Sequence, residues 1–234
     1  MNPGDALADQ AALGLPASAF DRLDEAPDEL FYSFPRLVTH IDDRAIAAVT
    51  ELYRQLFPPG GAILDLMSSW VSHLPPEVAY RRVVGLGLNA TELAANARLD
   101  ERIVQDLNQR PELPFPDGEF DAAGLCVSVQ YLRRPVVVLR EVARVLHPGA
   151  PLAITLSNRC FPTKAVLIWR SLDDAGHVRL VERYLRAAGG WVQIERLECV
   201  PDDGRGDPLF AVVGRCAAGT GLSSPTDSGR TGSR

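Results

Sequence analysis

From Phe120 to Val129 the chain reads Phe-Asp-Ala-Ala-Gly-Leu-Cys-Val-Ser-Val, ten residues with a single charge, at Asp121. A strand without a polar face has to be buried on both sides. That is the signature of a parallel sheet roofed by helices above and below. A second run, Ala62-Ile63-Leu64-Asp65-Leu66, has the same apolar character, followed by an abrupt turn at Met67-Ser68-Ser69-Trp70. In open α/β sheets, ligands sit beyond the carboxyl ends of the strands, near the point where the strand order reverses. Asp65 therefore reads either as a ligand contact or as the cap of a following helix.

Around these two runs, strands and helices alternate. Residues 46–57 carry an apolar stripe at helical spacing, with Asp42 or Asp43 available as its cap and Pro58-Pro59-Gly60-Gly61 as its stop. The pattern predicts strands at 62–66, 82–86 and 102–106, with a short helix from Asn89 to Asn96 and a weaker one around Val71–Leu74. After the 120–129 strand, Pro135 opens a helix with Val138, Leu139, Val142, Val145 and Leu146 on one face. Pro148-Gly149 stops it. A strand at 151–156, helices at 165–171 and 177–188, and strands at 191–200 and 209–216 complete the series. The last two strands have no helix between them, which predicts one antiparallel pairing at the end of the sheet. The expected fold is α/β, a doubly wound and mainly parallel seven-stranded sheet with an antiparallel last strand.

At 234 residues the chain fits one domain. Residues 1–30, rich in Ala, Asp and Pro, are expected to form a loosely ordered arm. Residues 31–216 form the domain, and 217–234 read as a disordered tail without large apolar residues. The net charge of −6 predicts neither a nucleic-acid nor a membrane partner. No apolar run nears the roughly 20 residues that span a bilayer. Cys126, Cys160, Cys199 and Cys216 are far apart, and no secretory leader pattern precedes them. They are expected to be reduced thiols in a cytoplasmic protein. The scattered histidines and cysteines predict no metal site.

Two further stretches carry a resemblance. Leu113-Pro114-Phe115-Pro116-Asp117-Gly118-Glu119-Phe120-Asp121 is similar to the LPF-x-(D/N)-x-x-FD segment of the class I S-adenosylmethionine-dependent methyltransferases, in the small-molecule subfamily often called type 11. Leu139-Arg140-Glu141-Val142-Ala143-Arg144-Val145-Leu146-His147-Pro148-Gly149 resembles that subfamily's hxEhxRVLkPGG helix and turn. The resemblance spans about residues 60–160. It implies a Rossmann-like methyltransferase fold, S-adenosylmethionine as cofactor and a small-molecule methyl acceptor. It implies that Asp65 orients the cofactor's amino-acid part, that Asp106 with Leu107 meets the adenine, and that Ser128, Val129 and Tyr131 line the methionine side. Met67, Ser68, Ser69 and Trp70 replace the family's Gly-x-Gly-x-Gly, with Ser68 and Ser69 small enough to admit a ligand. Gly87 stands where the family has an acid for the ribose hydroxyls, and Asn89 is the neighbouring group that could supply one bond instead. Trp70 reads as a core residue or as a group over the cleft.

Upstream, Tyr32, His40 and Asp42 fall where this family often carries a lid. Downstream, Arg159 and Lys164 could hold an acceptor's carboxylate or phosphate. Cys160, next to Arg159 and four residues before Lys164, is either an activated thiol or an inert one. Tyr32, His40, Tyr131, Arg159, Cys160 and Lys164 are thus the candidate acceptor contacts, and no residue is singled out as a general base. The function expected is methyl transfer to a small acceptor. The lost glycines and the lost acid motivate an alternative, a methyltransferase-like module that binds without catalysis.

Overall fold

A computed structural model describes residues 12–218. Seven strands form one sheet in the order β3-β2-β1-β4-β5-β7-β6: β1 Ala62–Leu66, β2 Arg82–Gly87, β3 Glu101–Val104, β4 Ala122–Cys126, β5 Pro151–Leu156, β6 Trp191–Val200 and β7 Leu209–Cys216. β1 to β5 pair in parallel, and β7 runs antiparallel to both β5 and β6. The antiparallel strand is therefore the last in the chain but lies inside the sheet, and β6 forms the edge. The strand order reverses between β1 and β4, the two strands that the apolar runs predict.

Burial explains that arrangement. Every residue of β1 and β5 is buried, as are four of the five in β4, whereas β3 at the other edge is almost wholly exposed. One face is covered by helix α2 (Asp43–Leu56), whose Val49, Tyr53 and Phe57 side contacts Ile63, Ala122 and Ala153 of the sheet. The other face carries α4 (Pro135–Val145) and α6 (Asp174–Ala188) through Val138, Val142, Val181 and Leu185. Short helices α1 (Asp28–Phe31), α3 (Ala90–Ala95) and α5 (Leu167–Arg170) lie in the connections. Asp42 caps α2 by accepting from the Ala45 N–H at 2.9 Å, and Asn89 caps α3 through the N–H groups of Thr91 and Glu92.

Three expectations are corrected. No helix follows β1. His73 lies in the left-handed region at φ 52°, Pro75 and Pro76 follow at once, and the Ser68 and Ser72 hydroxyls bond to Asp65. That stretch offers no uninterrupted helical turn. The third strand ends at Val104 rather than Asp106, because Asp106 begins a turn whose Asn108 N–H it accepts at 2.8 Å. The arm is not loose over its described part. Leu13, Ala19 and Phe20 are buried in the core, and Arg22 meets Asp28 in a closed ion pair at 2.8 Å. Residues 1–11 and all but the first two residues of the tail lie outside the described residues. None of the described helices is long and apolar enough to cross a membrane.

Candidate functional site

Above the carboxyl ends of β1, β2 and β4 lies a cleft of about 270 Å³, with a side pocket of about 90 Å³ beside it. Its shape begins with the turn after β1. Met67 takes φ 54°, where a side chain costs on the order of 1 kcal/mol and glycine costs nothing. The strain is offset locally, since the Ser68 N–H donates to the Leu86 carbonyl at 2.8 Å and draws the loop over β2. There the Ser68 carbonyl presses on Gly87, so closely that a Cβ at Gly87 would stand 2.1 Å from it. Gly87 is thus a close-approach glycine, and no side chain of any kind fits there.

Asp65 ends up beneath this turn. Its carboxylate accepts from Ser68 Oγ and Ser72 Oγ, each at 2.6 Å, and Asn96 donates to Ser72 Oγ in turn. Burial pushes the Asp65 carboxyl up to about 6, against the pull of the two hydroxyls. It lines the side pocket with Val38, Trp70 and His73, and not the main cleft. Trp70 stays at that rim, where its indole N–H donates to the Val38 carbonyl at 2.9 Å, so the cleft itself remains open.

The far end of the cleft is built by β2 and β3. Asp106 and Leu107 line it, with Asp106 also accepting from Gln109 Nε2. Asn89 lines it as well, but its amide is committed. Its oxygen caps α3, and its nitrogen donates to the Tyr32 carbonyl at 2.8 Å. At the end of β4, Val127 turns with φ 43° and Ser128 faces the cleft. The buried Ser128 hydroxyl has no partner among the described residues. Val129 points into the core and is not part of the lining.

The roof comes from the arm, which continues through residues 31–42 to α2, and from the segment after β5. Phe161 is its hub, with the rings of Phe31, His40 and Tyr131 at 5.3, 5.2 and 6.0 Å. The Arg36 guanidinium lies over Phe31 at 4.6 Å and Phe161 at 5.4 Å. Tyr131 is fixed by accepting the Phe161 N–H at 2.8 Å. Burial raises the phenols of Tyr32 and Tyr131 and the Cys160 thiol, so all three stay protonated at neutral pH. Cys160 lines the cleft as an unactivated thiol, the opposite of a nucleophile's environment. His40 lines both the cleft and the side pocket, and burial chiefly, with Arg36 adding to it against Glu92, lowers its basicity. Arg159 stands at the exposed rim with its Nε on Asp207 at 2.7 Å.

Lys164 is corrected. It is fully buried outside the cleft, and its Nζ donates to the Ala26 carbonyl at 2.7 Å and meets Asp24 and Asp28 at 3.1 and 3.3 Å. It fastens the arm instead of holding an acceptor. Arg36, Glu92, Asn108 and Phe161 line the cleft without having been singled out in the sequence. Glu92 occupies an ordinary helix position there, and only the tertiary fold shows that it is buried.

Comparison with known proteins agrees with this geometry. A family model described as a methyltransferase domain matches residues 68–154. The 27-O-demethylrifamycin SV methyltransferase of Amycolatopsis mediterranei is 37% identical over 65 residues, 28% of this chain and 24% of that protein. The chain thus matches about a quarter of that relative's length. The [4+2]-cyclase SpnF superposes with a TM-score of 0.57 at 18% identity, covering 82% of this chain and 92% of the other. Phosphoethanolamine N-methyltransferase 2 of Haemonchus contortus, solved with S-adenosyl-L-methionine, gives 0.54 at 14% identity, covering 74% and 52%. At such identities the two structures speak for the fold alone. Residues 68–154 thus match a methyltransferase domain, and the fold resembles those of solved S-adenosylmethionine-dependent methyltransferases.

Proposed function

We propose that the protein transfers a methyl group from S-adenosylmethionine to a hydroxyl on a small-molecule acceptor. The observation that carries the reading is the open cleft at the β1/β4 reversal, which neither Met67 nor Trp70 fills. Its donor set fits an adenosyl sulfonium ligand. Leu86, Leu107 and Leu132 give a flat base an apolar bed, and Asp106 stands at that end. Ser128 offers a buried hydroxyl with an unmet bond, and Asp65 in the side pocket supplies an anion for a cationic amino-acid end. When bound, the cofactor supplies an electrophilic methyl group on a positively charged sulfur.

The protein's share is mainly positioning, which can lower such a barrier by several kcal/mol. Phe161, Tyr32 and Tyr131 give the cleft an aromatic roof that suits an apolar or planar acceptor. His40 is uncharged at neutral pH, so its ring can accept the proton that a hydroxyl acceptor loses. The protonated phenols and thiol around it cannot. A hydroxyl acceptor is also favoured by the relative from Amycolatopsis mediterranei, whose name specifies an O-demethyl substrate.

Calorimetric titration with S-adenosylhomocysteine tests the reading. Saturable binding at submillimolar concentration is expected. No heat up to about 1 mM, where binding would be worth roughly 4 kcal/mol, overturns it in favour of a module that binds something else.

A further inference from the structure

Glu92 is a buried carboxylate, 7% exposed, that lines the cleft one turn into α3. Its Oε1 accepts the Arg36 backbone N–H at 2.7 Å, and its Oε2 accepts Ser69 Oγ at 2.6 Å. Both donors are neutral. An ionised carboxylate offers about four lone-pair sites, so these two bonds leave acceptor capacity on both oxygens. Neither bond comes from a cation, so among the described residues the Glu92 carboxylate is hydrogen-bonded but not closed into an ion pair.

The neighbourhood narrows what that is. A ribose presents two adjacent hydroxyls, and carboxylates are the side chains that proteins use to accept from them. At the end of β2 no such group can stand, because the Ser68 carbonyl occupies the space where a Gly87 side chain would begin. Asn89 has spent its amide on the α3 cap and the arm. Asp106 follows β3, at the end of the cleft assigned to the base and away from the β1 turn. Of the groups lining the cleft near β2, Glu92 is the one with both charge and free acceptor sites.

We infer that Glu92, reaching in from α3, is the carboxylate that holds the ribose hydroxyls of the cofactor. The ribose contact has moved from the strand end to the helix because the glycine-free loop after β1 now lies on β2. Glu92 also ties three segments together at that point: the arm through Arg36, the β1 turn through Ser69, and its own helix. Binding and arm closure thereby share one side chain.

The inference rests on the donor assignment above, and the experiment separates the two. Affinities for S-adenosylhomocysteine and its 2′-deoxy analogue are measured by calorimetry on the full chain, wild type and Glu92→Gln. Wild type should bind the deoxy compound roughly tenfold more weakly, as loss of a charge-assisted hydrogen bond predicts. Glu92→Gln should bind the parent compound roughly tenfold more weakly and show a much smaller ratio between the two ligands. A wild-type ratio that survives the substitution, or a wild type indifferent to the hydroxyl, overturns the inference alone. A wild type that binds neither compound overturns the donor assignment and this inference with it. Should Glu92→Gln fail to fold, Glu92→Asp carries the same comparison. It keeps the charge but shortens the reach by one methylene, and the ratio should again collapse.

Discussion

Asp65 holds a carboxylate where a negative charge is expensive, with two serine hydroxyls as its partners and no cation bonded to it among the described residues. Its carboxyl stands near 6 in the folded chain against an ordinary value of 3.8. Between those two values the folded state binds more protons than the unfolded one, so stability falls as pH rises through the window. Above it, the buried charge costs on the order of 3 kcal/mol. Both hydroxyls bond to one oxygen of Asp65, so an asparagine could keep both with its carbonyl. Asp65→Asn is therefore expected to stabilise the free protein by up to about 3 kcal/mol at pH 7.5 and by little at pH 4. Thermal melts across that range check it. A cationic ligand group in the side pocket would reverse the balance by favouring the ionised form. S-adenosylhomocysteine should then bind more weakly at pH 5 than at pH 7.5, and the difference should vanish in Asp65→Asn. Asp65 was legible because it stands in an apolar run that ends in an abrupt turn, and Asp106 only through the family resemblance. Glu92 and Lys164 were not, because nothing in a local pattern reveals that a charged side chain is buried by residues 50 to 140 positions away.

At the scale of elements, local chemistry was legible wherever the stop and start signals were strong. The bounds of β5, β6 and β7 and the Asp42 and Asn89 caps follow from Pro, Gly and capping residues close in sequence. The β1–β2 connection was not legible, since its geometry depends on a contact across two strands, Ser68 against Gly87. That contact yields a prediction against intuition. Gly87→Asp would place an acid where the family resemblance implies one, yet its Cβ cannot be placed 2.1 Å from a backbone carbonyl. The loop must lift, so the variant should lose stability by roughly 1–3 kcal/mol and lose S-adenosylhomocysteine binding as well. Improved binding would show that the loop yields freely. The arm depends on a different device. Lys164 anchors it through Ala26, Asp24 and Asp28, inside a closed set that includes Arg22. Lys164→Ala leaves these acids short of a cation and should cost roughly 3 kcal/mol. Limited trypsin digestion should then cut faster at Arg22, which is buried in the docked arm of the wild type.

For the whole molecule, the cleft is the place where all three devices meet. The sheet order supplies the site, because the strands diverge where it reverses between β1 and β4. The arm closes it from above through Arg36 on Glu92 and Trp70 on the Val38 carbonyl. Ligand binding should therefore stabilise arm, loop and sheet together. At a free concentration 100 times its dissociation constant, S-adenosylhomocysteine adds about 2.7 kcal/mol. For a domain of this size each kcal/mol raises the melting temperature by about 2–4 °C, so a shift of roughly 5–10 °C is expected. The shift should come with protection of Arg36 from trypsin, since Arg36 lines the cleft that the ligand fills. Stabilisation without that protection would mean that the ligand binds under an open arm, and the shared role given to Glu92 would then be wrong. A cleft that binds, warms the melt and closes the arm in one concentration range is what a transfer reaction that must exclude water requires.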